Sequence, residues 1–116
     1  MWIFLKDGFI SVVQHEAEPD TLVIRARKLE HLFQLGTPES AILRLPDADY
    51  PFRCYMHKRT FAVVMYEKIK TIDYTNFKNT LDHDPKYHKA CFNVWLEMYN
   101  AYMIDGDDDD REYVKP

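Results

Sequence analysis

Across residues 50–72 the apolar positions change their spacing, and that change limits the folds open to this chain. Tyr50, Phe52, Cys54 and Met56 alternate with Arg53, Tyr55 and His57, the period-two pattern of a strand with one side turned to a core. From Phe61 the spacing lengthens to that of a helix, with Phe61, Val64, Met65, Lys68, Ile69 and Ile72 on one stripe and Glu67 and Lys70 set away from it. A strand therefore passes into an amphipathic helix within a few residues. Such a helix buries its stripe on a sheet, so further strands must lie beside this one.

Those strands are expected upstream. Residues 1–6 and 9–15 are β-rich runs joined by Asp7-Gly8, a dipeptide that permits the positive φ of a tight hairpin turn. Residues 21–27 form a third strand, with Leu22, Ile24 and Ala26 on the core side and Val23, Arg25 and Arg27 on the other. A short helix over 28–35 follows, with Gly36 as its C-cap. Residues 41–45 give a fourth strand, Leu43 and Leu45 facing inward and Ile42 and Arg44 outward.

Downstream, Asp73 is placed to cap a short helix over 74–81, and Asp84-Pro85 opens the last helix. That helix carries two apolar stripes, Tyr87, Cys91, Val94, Met98 and Phe92, Trp95, Tyr99, Tyr102, so it is expected to touch more than one element. The order predicts an α+β fold: an antiparallel-rich sheet of about five strands, made of the N-terminal hairpin and a ferredoxin-like βαββα unit. Helices pack on one face, with a C-terminal helical pair.

Charge divides the chain unevenly. Of 19 acids and 15 bases, residues 105–116 (DGDDDDREYVKP) hold six and two, which leaves thirteen of each over residues 1–104. The expectation is one domain over 1–104 followed by an acidic, disordered tail at 105–116, either solubilising or able to cover a basic patch by mimicking phosphate charge. With 47% hydrophobic residues the chain has material for a core of its own. No apolar run approaches the roughly 18–20 residues needed to cross a bilayer, and the opening MWIFLKDGF lacks the pattern of a signal peptide, so no membrane association and a cytoplasmic location are expected. Cys54 and Cys91, without a CxxC spacing, are read as reduced core residues.

Motifs for chemistry are few. His83 and His88 flank a helix start at a spacing that does not put both imidazoles on one face, so no metal is assigned there. His57 lacks an identifiable nucleophile or orienting acid, Asp47 and Asp49 fit a solvated turn, and the three glycines form no phosphate loop. No catalytic residue, metal or cofactor is assigned, and a non-enzymatic role is expected.

The alternation instead groups Arg25, Arg27, Arg44, Arg53, Tyr55 and His57 on the sheet face away from the helices, with Trp2, Phe4, Val13, Val23 and Ile42 nearby. Arginine among aromatic and apolar groups is what protein interfaces select, and a protein partner or a homodimer fits it. Single-stranded nucleic acid or a nucleotide could use Arg25, Arg27, Arg44 and Arg53 in the same way. A third possibility is internal: the arginines pair with Asp47, Asp49 or Glu16 and the aromatics lie under the last helix.

The segments MWIFLKDGFISVV, VIRAR, DYPFR, IDYTNFKN and VWLEMY together resemble a widespread group of small bacterial proteins to which no reaction is attached. The resemblance covers nearly the whole of residues 1–104; members of the group end soon after the VWLEMY-like helix, and the DGDDDD extension departs from them. Small proteins of this kind are also carried by phages or mobile elements, which suggests inhibition of a host or defence protein as a further expectation.

Overall fold

Strands form along the alternating segments: β1 (Trp2–Leu5), β2 (Gly8–Gln14), β3 (Thr21–Ala26), β4 (Leu43–Arg44) and β5 (Phe52–His57). They make one sheet in the order β1-β2-β3-β5-β4, every neighbouring pair antiparallel. β3 and β4 consequently run in the same sense with β5 between them. The computed structural model describes residues 1–104; the acidic segment 105–116 lies outside the described residues. The chain divides into two compact units, the first spanning Met1–Thr75 and the second beginning at Asn76, a division within 1–104 that the composition does not announce.

In the first unit the sheet carries α1 (Leu29–Phe33) and α2 (Lys58–Lys70) on one face. Ile10, Val12, Ile24, Ala26 and Cys54 project from that face and are buried with Leu32, Leu35, Ile42 and Phe61. These residues alternate along their strands as expected, because a core on one side of a pleated strand takes every second side chain. Burying Phe61 is worth about 1.5–3 kcal/mol. Val64 and Met65 pack partly against the same cluster, whereas Ile69 and Ile72 are exposed, so α2 buries only the first part of its apolar stripe.

Several local expectations are corrected. The hairpin turn is Lys6-Asp7 rather than Asp7-Gly8, because Leu5 already pairs with Gly8; the positive φ of +149° falls on Gly8, the first residue of β2. The fourth strand is only two residues long, since a 3-10 turn occupies Glu39–Ala41. Its parity is opposite to that expected: Ile42 is buried in the core, while Leu43 and Leu45 are exposed. Helix α1 ends earlier than expected, at Phe33 with Gln34 as its C-cap; Gly36, expected as the cap, lies two residues further on in the left-handed region at φ +80°, its N–H donating to the Phe33 carbonyl at 2.9 Å.

In the second unit the helix expected over 74–81 is a single 3-10 turn at Lys78–Leu81. Asn76 Oδ1 accepts the Lys78 N–H at 3.0 Å, a local turn that competes with helix. Then α3 (Pro85–Tyr99) starts as predicted, with Pro85 in the first turn and the Asp84 carboxylate accepting the Tyr87 N–H at 3.1 Å. It runs on into a π-helical segment, Asn100–Ile104. Among the described residues no helix is long and apolar enough to cross a membrane.

Candidate binding face of the sheet

The pairing register assigns each side chain on the face opposite α1 and α2. Ser11, Arg25, Arg53 and Leu43 form one row across β2, β3, β5 and β4, and Val13, Val23 and Tyr55 form the next. Trp2 extends the first row onto β1 opposite Ser11, and on the other side of that row Phe4 and Phe9 pair across β1 and β2. The Phe4 and Phe9 rings stack at 4.6 Å, and Trp2 meets Phe9 edge-on at 6.4 Å.

Arg25 and Arg53 are direct cross-strand partners, an arrangement in which like charges repel. Tyr50 contacts all three arginines of this face. Its ring lies 4.6 Å from the Arg25 guanidinium carbon and 4.4 Å from that of Arg27, so both cations rest against one aromatic ring. The Tyr50 carbonyl also accepts a long hydrogen bond of 3.4 Å from Arg53 Nη2. Arg25 Nη2 donates to the buried Ser11 hydroxyl at 2.8 Å. Arg27, just past the end of β3, donates from Nε to the Asp49 backbone carbonyl at 3.2 Å. The Nε atoms of Arg25 and Arg53 are buried without a partner.

Among the described residues, none of these three arginines pairs with a carboxylate. Glu39, Glu67 and Asp82 instead pair with Arg44, Lys70 and His88. The internal neutralisation by Asp47, Asp49 or Glu16 considered above therefore does not occur through their carboxylates. Ser11, Val23 and Tyr50 are buried at the centre of this face, and apolar surface is exposed toward its margins, at Trp2 (71%), Tyr55 (50%) and Val13.

Of the six residues expected on this face, Arg25, Arg27, Arg53 and Tyr55 share it, and His57 and Arg44 need separate treatment. Arg44 is a correction. It pairs in register with Phe52, on the helix-bearing side, where its guanidinium lies 5.7 Å from the Phe52 ring and meets Glu39 at 2.6 Å. His57 ends β5 and caps α2, its Nδ1 accepting the Arg59 N–H at 3.0 Å; that lone pair holds the helix start. Ile42, expected nearby, belongs to the core.

Two contributors were missed. Tyr50 was assigned to the core side by extending the β5 alternation, but it precedes Pro51 and the ladder begins only at Phe52. His15, which stands edge-on to Tyr55 at 5.4 Å, uses Nδ1 to accept from Ala17 and Glu18 in the turn after β2. The Asp-rich stretch before Pro51 was the available sign that alternation stops there.

Elsewhere, burial pushes both thiols above their ordinary range. For Cys54 a weak contact with the Thr37 hydroxyl at 3.8 Å opposes the shift; for Cys91 Tyr87 opposes it and the Asp84 charge adds to it. His83 and His88 contact the Thr80 carbonyl and the Asp82 carboxylate respectively. Among the described residues no group of three or more His, Cys, Asp or Glu side chains is placed to hold a metal ion. Comparison with family models, curated proteins and solved structures finds no match.

Proposed function

We propose that this chain is a non-enzymatic binding protein that recognises another protein through the bare face of its sheet, in a regulatory or inhibitory role. The observation that carries the reading is the set of Arg25, Arg27 and Arg53, held in place by Tyr50 and Ser11 without a described carboxylate partner, inside a rim of exposed Trp2, Val13 and Tyr55. Guanidinium groups already fixed on an aromatic ring lose little freedom when a partner docks. Arginine, tryptophan and tyrosine are also the residues in which interface energy concentrates. A carboxylate on the partner is the natural complement, because it supplies acceptors in which this face is short.

Residues 1–104 carry thirteen acids and thirteen bases, and that balance favours a protein over nucleic acid, whose binding draws on net positive charge. The two are separated by capture from native lysate with and without nuclease, using Val13→Asp and Arg25→Ala. A protein partner is expected to survive nuclease and to be lost with Val13→Asp, which places a charge in the rim without touching the core. Binding that disappears with nuclease, falls steeply with salt and ignores Val13→Asp would assign the face to nucleic acid instead.

A further inference from the structure

The second unit exposes a different surface. Tyr87 and Cys91 are the buried residues of α3. Three aromatic residues of the neighbouring stripe stack along the helix, Phe92 on Trp95 at 5.9 Å and Trp95 on Tyr99 at 5.4 Å, with interplanar angles of 30° and 20°. The ladder is solvent-facing, with Phe92 42%, Trp95 46%, Tyr99 41% and Tyr102 62% exposed. Lys78 lies across its first two rings, with Nζ 4.2 Å from Trp95 and 5.6 Å from Phe92. With the neighbouring exposed Met98, side chains of this size leave on the order of 500–600 Å² of apolar surface in water, the upper end of what a monomer shows.

Charge selects the occupant. Lys78, Lys86 and Lys89 lie at or near the first half of α3, where Asp84 is committed to the N-cap and Asp82 to His88. Beyond Glu97 the second half carries no base, and the chain continues from Ile104 directly into Asp105 and the run Asp107 to Asp110. The helix dipole has the same sense, positive at Pro85 and negative toward Ile104. The sequence that follows the ladder is acidic, which disfavours nucleic acid. A second helix of the same sequence laid antiparallel offers aromatic rings to the rings, its lysine-bearing half to the half without bases, and opposed dipoles.

We infer that two copies of this chain associate through the Phe92, Trp95, Tyr99 ladder, their α3 helices antiparallel about a two-fold axis near Trp95. A contact of this kind is isologous and closes at two copies. It removes roughly 1,000–1,200 Å² of surface in total, which reaches the lower size of a specific interface. The association is therefore concentration-dependent and involves a surface separate from the residues proposed above to bind a partner.

Sedimentation velocity on the full chain, from low micromolar to on the order of 100 μM, tests this. The expected result is a monomer–dimer equilibrium. Trp95→Asp should weaken it about thirtyfold or more, as for a central interface residue. Lys78→Glu with Lys89→Glu should weaken it less, while Val13→Asp leaves it unchanged. The lysine double variant alters only side chains outside the buried stripe, so it reads the interface if Trp95→Asp does not fold. A chain that stays monomeric at the highest concentration, or a dimer indifferent to both the Trp95 and the lysine substitutions, overturns the inference. A dimer abolished by Val13→Asp alone overturns it too, by moving self-association to the sheet.

Discussion

Gly8 meets two demands at once, a backbone φ of +149° and a Cβ position only 2.3 Å from the His31 ring carbons, while His31 Nδ1 accepts the Phe9 N–H at 3.3 Å beside it. Gly8→Ala is therefore expected to cost about 1–3 kcal/mol, read from a urea denaturation midpoint. Adding His31→Ala removes the ring but leaves the His31 Cβ 2.8 Å from the new methyl group, so it should recover part of the steric cost and none of the backbone cost. The thiols offer a second residue-scale test. A Cys54 thiol whose folded pKa lies above its ordinary 9.0 keeps its proton when the unfolded chain has begun to lose it. Stability is thus unaffected at neutral pH and falls as pH rises through 9 toward the raised folded value. Unfolding measured at increasing pH should show that decline, and Cys54→Ala should flatten it; alkylation at pH 8 should be slow until denaturant is added. At this scale Arg25, Arg53 and Tyr55 were legible because alternation holds inside a paired strand. Tyr50 was not, because no ladder constrains a residue ahead of Pro51.

Among the elements, β2, β3 and β5 could be read from period two, and α3 from its Asp84-Pro85 start, since each is long enough for one face to be buried consistently. β4 could not. Its two residues follow a 3-10 turn, and a one-residue change of phase exchanges every inward and outward position. That exchange can be measured directly. Ile42→Asp puts a carboxylate into the buried cluster and is expected to destabilise the first unit by roughly 3–5 kcal/mol. Leu43→Asp, at an exposed position beside Arg53, should stay within about 0.5 kcal/mol of the parent. The parity expected from the sequence requires the opposite ranking, so paired thermal melts distinguish the two. The same reversal explains why Arg44 leaves the candidate face while Arg25 and Arg53 remain on it.

At the scale of the molecule, charge and core are distributed differently between the two units. Residues 1–75 contain ten bases and ten acids, so the net charge of −4 belongs entirely to the residues from Asn76 on. All nine residues of the buried cluster lie between Ile10 and Phe61, and the apolar residues packed against it lie between Ile3 and Met65. A chain of 75 residues is near the lower limit at which one hydrophobic core sustains a fold, burying a little over ~60% of its unfolded surface. Because that core is complete within the first unit, a fragment of residues 1–75 is expected to fold alone, with a sheet-rich circular dichroism spectrum and a cooperative melt below that of the full chain. Having no net charge, it should be least soluble near neutral pH, so the melt is best followed at low protein concentration. A fragment that melts without cooperativity under those conditions would show that the buried cluster is insufficient and that residues after Thr75 supply stability the first unit lacks. If it does fold, the fragment carries Arg25, Arg27, Arg53 and Tyr50 without Trp95 or the acidic run, and it should capture the sheet-face partner while remaining monomeric.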